Sequence, residues 1–187
     1  MRWDRRSVIA SGFALAACQR GAQASAPATT TIQPLKSVAP FPVGVAAMSG
    51  QFLYPAWVDL ATRHFSQLTP EWEMKMERVL TPDGRFDFTA ADAIADFARD
   101  QAMRLHATTL IWYAQDHPWF RALPESRFAA EYDRWITTMA GRYRGRASGW
   151  DTVNEPVAED GDGLRDCLWS QRLGQDGYMI RAFEVAD

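Results

Sequence analysis

Cysteine is scarce in this chain. Only Cys18 and Cys167 occur among 187 residues, too few for a disulfide framework or a four-thiolate zinc site. The three histidines, His64, His106 and His117, lack the spacing of zinc ligands. No GxGxxG or GxxxxGK[ST] loop occurs, so nothing in the sequence is built to cradle a nucleotide phosphate. Metal and nucleotide cofactors are therefore not expected. Charge of one sign is also missing: Lys and Arg total 20 against 23 Asp and Glu, a net charge of −3. Without a clustered basic face, nucleic acid is excluded as a partner. No apolar run reaches the roughly 20 residues that a bilayer span needs. What remains is 47% hydrophobic and 23% charged, a globular composition. The surplus is aromatic, at 12% with eight Trp. Flat apolar faces with a polar edge suit protein cores and sugar clefts alike.

The first residues read as an address. Arg2, Arg5 and Arg6 precede the apolar stretch from Val8 to Ala17, a secretory signal pattern. The Arg5-Arg6 pair resembles a twin-arginine signal, and Leu15-Ala16-Ala17-Cys18 resembles a bacterial lipobox, which would make Cys18 an acylated first residue. Ala22-Gln23-Ala24 is the competing cleavage point. Residues 1–18 are thus expected to direct export from a bacterial cell, to the periplasm, to the outer membrane as a lipoprotein, or to the medium. Membrane attachment would be through Cys18 alone. Residues 19–38, rich in Ala, Pro, Thr, Ser and Gln, read as a flexible tether, which leaves 39–187 to fold.

That remainder alternates strands and helices. Strands are expected at Phe41–Ala46, Phe65–Thr69, Leu105–Trp112 and Trp150–Asn154. Helices are expected at Tyr54–His64, at Ala90–Gln101 with Thr89 as N-cap, at Ser126–Arg144, and at Leu173–Val185. Alternation of this kind predicts an α/β fold with a parallel sheet. In a β/α barrel the chemistry sits after the carboxyl ends of the strands, and polar-aromatic clusters fall there. They are Glu71, Trp72, Glu73 and Lys75; then Trp112, Tyr113, Gln115, His117 and Trp119; then Asn154 and Glu155 ahead of Pro156. A carboxyl group in an aromatic, partly dry cleft holds its proton more tightly and can act as a general acid. The plainer alternatives are a solvated loop for Glu155, a charged helix start with i,i+4 pairing for Glu71 to Lys75, and core for the Trp residues.

Taken together, Thr69-Pro70-Glu71-Trp72-Glu73-Met74-Lys75, Phe86-Asp87-Phe88-Thr89-Ala90-Ala91-Asp92, Thr109-Leu110-Ile111-Trp112 with Gln115, and Trp150-Asp151-Thr152-Val153-Asn154-Glu155 resemble glycoside hydrolase family 10. The segments Gly163–Trp169 and Ala182-Phe183-Glu184 continue the resemblance. It implies a (β/α)8 TIM barrel, of which this chain holds about the first four βα units, and a retaining endo-1,4-β-xylanase acting on xylan or a related polysaccharide. By that resemblance Glu155 is the general acid/base, and Asn154 binds the 2-hydroxyl of the sugar being cleaved. Lys75 and Glu71 hold the next sugar, while Trp112 and Gln115 form the strand-three edge of the cleft.

The sequence departs from the family pattern at three places. Trp72 stands where an Asn is usual, and Thr108 and Tyr113 stand where two His are usual. Tyr113 is expected beside the cleavage point, keeping a donor but not an imidazole. The nucleophile of the family follows a later strand, beyond residue 187, and about 250 residues are needed to close such a barrel. The expectation is a half-barrel without turnover by itself. Two other readings compete: a lipid-anchored, non-catalytic glycan-binding or relic protein, and a structural or protein-binding domain. The sequence does not fix the oligomeric state.

Overall fold

The computed structural model describes residues 32–187. The expected export signal, Cys18 and most of the expected tether therefore lie outside the described residues. The chain enters through a helical turn, α1 (Leu35–Val38), and continues into β1 (Gly44–Ala47), a 3-10 turn (Ser49–Leu53) and α2 (Pro55–His64). Next come β2 (Gln67–Pro70), α3 (Met76–Val79), α4 (Thr89–Asp100), β3 (Arg104–Trp112), α5 (Pro118–Ala122) and α6 (Glu125–Arg142). The last elements are β4 (Ala147–Asn154), α7 (Leu168–Leu173) and α8 (Gly177–Ala186).

The four strands form one sheet in chain order, every pair parallel. Register pairs Ala47 with Pro70, Leu68 with Leu105, and Trp112 with Asn154. Because all strands run the same way, the loops after β2, β3 and β4 leave from the same edge of the sheet. That edge carries the candidate site.

Helical periodicity explains the covering layer. Ala91, Ile94, Ala95 and Ala98 of α4 and Phe128, Tyr132, Trp135, Ile136 and Met139 of α6 are buried against Leu105, Ala107, Leu110 and Ile111 of β3. Polar atoms inside this layer are satisfied. The Trp135 indole donates to the Leu110 carbonyl at 2.7 Å, and the Tyr132 hydroxyl donates to the Tyr178 carbonyl at 2.7 Å. Arg181 grips Asp133 through two 2.6 Å contacts, linking α8 to α6. Arg142 grips Asp92 from α6 to α4, and this hydrogen bond, with a second from the Tyr143 hydroxyl, holds the Asp92 carboxyl below the usual range.

Boundaries differ from the sequence reading at several places: β1 begins at Gly44, β2 at Gln67 and β4 at Ala147, and three further differences have visible causes. The tether, expected to run to Val38, gives way earlier to α1, because the Leu35 amide donates to His64 Nδ1 and the Lys36 ammonium to the Thr62 carbonyl at 2.6 Å. Thr89 is the first residue of α4 rather than its cap; the Asp87 carboxylate accepts from the Thr89 amide at 2.9 Å instead. The final helix, expected from Leu173, begins at Gly177 instead; Leu173 ends α7, a helix the sequence reading lacked, and Gly174 turns the chain between the two at φ +86°. Gly84 is a second position only glycine can fill: its φ is +79°, and a Cβ there would meet the Trp119 ring at 2.4 Å.

Candidate functional site

The site begins at the end of β2, where Glu71, Trp72, Glu73 and Lys75 make a turn rather than a charged helix start. Glu73 is only 4% exposed. Its carboxylate accepts from the Ser49 amide at 2.5 Å and the Trp72 amide at 3.4 Å, so it ties this turn to the segment after β1. Sequence reasoning placed it in the polar cluster but missed this anchoring role, which no local pattern betrays. Glu71 is exposed, with its backbone amide on the Ala47 carbonyl at 2.9 Å. Trp72 is 43% exposed.

Lys75 joins this turn to β3. Its ammonium lies 4.8 Å from the centroid of the Trp72 ring and 4.4 Å from that of Trp112, a two-ring clamp. Cations are held over indole faces by the ring quadrupole. Among the described residues Lys75 makes no ion pair, and i,i+4 pairing with Glu71 does not occur.

Trp112, at the end of β3, is fixed through its backbone. Its amide donates to Gln115 Oε1 at 2.8 Å, and its carbonyl accepts from the Trp169 indole at 2.8 Å. The Trp112 indole is left to donate to Glu155 Oε2 at 2.9 Å. Gln115, expected to touch substrate, is instead 2% exposed and buttresses Trp112 from below. Its amide nitrogen is buried without a protein partner. Tyr113 stands edge-on to Trp112, with ring centroids 5.8 Å apart, and the Arg165 guanidinium lies 4.1 Å from the centroid of the Tyr113 ring.

Asn154 ends β4 opposite Trp112 in register and is half-buried; Glu155 follows it. Glu155 is exposed rather than partly dry, and its backbone takes φ +51°, a left-handed conformation that is costly outside glycine by about 1–3 kcal/mol. Thus the structure gathers Trp72, Lys75, Trp112, Tyr113 and Glu155 into one connected row. It sets Glu71 and Asn154 at the strand ends beside them, and withdraws Gln115 into support.

Two further aromatic-cluster residues are structural. Trp119 packs on Gly84 with its indole nitrogen buried. His117 is 8% exposed; its Nδ1 accepts from the Trp119 amide at 3.2 Å, so its Nε2 donates to the Leu80 carbonyl at 3.1 Å. Burial pushes the His117 imidazole below its ordinary value, opposed by the Leu80 hydrogen bond and by Glu77. An unfolded His, near 6.5, takes up a proton more readily than this folded one, so its stabilising contribution is present above about pH 6.5 and is lost as pH falls below it. Urea midpoints are therefore expected to drop from pH 7 to pH 5, with a shallower drop in His117→Gln; equal slopes in both proteins would refute the assignment.

Among the described residues no group of three His, Cys, Asp or Glu could hold a metal ion, and no helix is long and apolar enough to cross a membrane. Cys167 is buried at the start of α7. Parallel βα units whose polar and aromatic side chains gather after the strand ends have the arrangement of part of a β/α barrel. The sequence matches the Glycosyl hydrolase family 10 model over residues 35–187, and the chain belongs to that family.

The relatives agree. Endo-1,4-beta-xylanase A of Thermotoga maritima is 36% identical over 157 residues, covering 78% of this chain and 15% of the relative. Endo-1,4-beta-xylanase 2 of Claviceps purpurea is 33% identical over 144 residues, covering 76% of this chain and 44% of its own length. Among solved structures, xylanase XynB from Paenibacillus barcinonensis, in complex with a conduramine derivative, superposes with TM-score 0.76 at 29% identity, covering 84% of this chain and 50% of that one. The chain therefore spans half or less of these relatives.

Proposed function

We propose that this chain carries the acid/base side of a retaining glycosidase cleft that acts on β-1,4-xylan or a closely related plant polysaccharide. The observation that carries the reading is the row Lys75–Trp112–Glu155, in which a strand-end carboxylate receives an indole hydrogen bond beside a clamped ammonium. In this role Glu155 donates its proton to the leaving glycosidic oxygen. It then takes a proton from the water that releases the covalent sugar intermediate. Asn154, one residue earlier, would bind the hydroxyl next to the reacting carbon, and Glu71 and Lys75 the adjoining sugar. Aromatic faces at Trp72 and Trp112 suit the apolar faces of pyranose rings, and a relative solved with xylotriose supports xylan as substrate. Trp72 cannot reproduce the hydrogen bonds of the amide usual at its position, so the sugar next to the cleavage point is held by ring contact and by Lys75. We further propose that residues 1–18 export the protein and that Cys18 is its lipid attachment.

Retention requires a second carboxylate about 5 Å from the first, as nucleophile. The two other acidic residues of the β2 turn do not fit that part: Glu73 is buried on backbone amides, and Glu71 matches a sugar-holding position. The 187-residue chain alone is therefore expected to bind xylo-oligosaccharides without hydrolysing them. Titration calorimetry with xylotriose, alongside reducing-sugar assays on xylan, checks both halves. Hydrolysis abolished by Glu155→Gln would show that no further carboxylate is needed. Absence of binding, with Lys75→Met behaving as the parent, would remove the cleft assignment.

A further inference from the structure

Glu155 is held from two directions, and only one of them involves its carboxylate. We propose that Arg165 is a positioning residue for Glu155: stacked on Tyr113, it holds the Glu155 carbonyl and so keeps the left-handed turn that points the carboxylate at the Trp112 indole. The inference rests on the reading of Glu155 as acid/base but concerns a residue that reading does not use.

The argument starts from the backbone. A non-glycine residue persists at φ +51° only where its surroundings over-determine it. Here they do so through one side chain and its own backbone. Arg165 Nε donates to the Glu155 carbonyl at 3.1 Å, and the Arg165 amide donates to the next carbonyl, that of Pro156, at 2.8 Å. Two successive carbonyls of the strained turn are thus captured by the same residue. The loop between them is closed by the antiparallel bridge of Val157 with Leu164, and the Arg165 carbonyl accepts from Gln175 at 3.0 Å. The guanidinium plane is in turn fixed over Tyr113 at 4.1 Å, with Glu159 at 3.5 Å on its far nitrogen.

Arginine is required by this geometry. A planar guanidinium can stack on a ring with its face while donating hydrogen bonds from its edge, whereas an ammonium cannot do both. Tyr113 supplies the ring, and it is one of the positions where this chain departs from the family pattern. The loss of an imidazole beside the cleavage point thus coincides with the gain of a stacking platform for Arg165. Tyr113 is in this view a support for the Arg165–Glu155 contact rather than a sugar ligand.

The test uses the 187-residue chain and needs no turnover. In 15N-labelled protein the Trp112 indole resonance, assigned with Trp112→Phe, reports its hydrogen bond to Glu155, and Glu155→Ala marks its position when that bond is gone. Arg165→Met is expected to move this resonance at least half the way to the Glu155→Ala position while the other indole resonances stay in place. Arg165→Lys is expected to move it nearly as far. An unmoved Trp112 resonance in a folded Arg165→Met protein would mean that Arg165 merely ties down the loop, and would overturn the proposal. If Arg165→Met does not fold, Arg165→Lys carries the test, because it keeps the aliphatic stem and the positive charge and loses the planar fork that stacks on Tyr113 while donating to the Glu155 carbonyl. The same resonance must then shift in the same direction, and an unshifted one overturns the proposal. Failure of sugar binding would strike the functional reading and leave this resonance unaffected, so the two failures are separable.

Discussion

A chimera in which residues 35–187 replace the matching half of the Paenibacillus barcinonensis xylanase is expected to hydrolyse xylan, and Glu155→Gln within it to lower kcat by about 100- to 10,000-fold. The superposition covers half of that enzyme, so the graft replaces a contiguous set of βα units and leaves the other half to supply the nucleophile. A positioned proton donor contributes about that factor when the leaving group is a sugar hydroxyl, which departs poorly unprotonated. The expected pattern across substrates is more telling than the size. With an aryl glycoside the leaving group needs little help, so formation of the covalent intermediate stays fast while its hydrolysis, now without base assistance, becomes limiting. Both kcat and KM should therefore fall on nitrophenyl xylobioside, and a burst of nitrophenol should appear. A chimera whose xylan kcat is indifferent to Glu155→Gln would mean that Glu155 is not the acid/base.

The second large effect is on stability. Trp169→Ala is expected to cost about 3–5 kcal/mol for the lost aromatic packing, with a further contribution of about 1–3 kcal/mol from the orphaned Trp112 carbonyl. Trp169 is fully buried, edge-on to Phe120 at 5.0 Å, with Tyr132 at 5.6 Å and Phe128 at 6.0 Å. A domain of ordinary stability holds about 5–15 kcal/mol in total, so the variant should be largely unfolded or close to it. Trp169→Phe keeps most of the packing and loses the indole donor, for an expected cost of about 1–3 kcal/mol from the orphaned Trp112 carbonyl plus a small packing loss. Urea unfolding of both variants measures the difference. Equal midpoints for Trp169→Ala and the parent would refute the packing account.

Much of this was legible in the sequence, for identifiable reasons. The α6 stripe from Phe128 to Met139 follows helical spacing closely enough to fix both the helix and its buried face. The strand-end positions of Lys75, Trp112 and Glu155 follow from the order of strands and helices in a parallel fold. What escaped depends on side-chain-to-backbone contacts, one of them only three residues apart, that residue type and spacing do not encode. Gln115 is polar and close to the cleft in sequence, yet the Trp112 amide draws its side chain inward. The left-handed backbone of Glu155 is set by Arg165 ten residues later, and no glycine marks it. The turn between α7 and α8, by contrast, is signalled by Gly174 and Gly177, which the helix expected from Leu173 ran across. Exposure of Glu155 agrees with the plainer alternative of a solvated loop, since the partly dry cleft presumed walls on every side of it.

Strand order has a consequence for how the molecule is made. Every pairing in the sheet joins strands that are neighbours in the chain, so each βα unit can dock on its predecessor as it leaves the ribosome. The sheet grows in the direction of synthesis, and its growing margin after β4 is a row of backbone donors and acceptors eight residues long. Such a margin is a template for the next parallel strand. It is also a part of the molecule on which a holding chaperone, or a second nascent chain, would compete to pair.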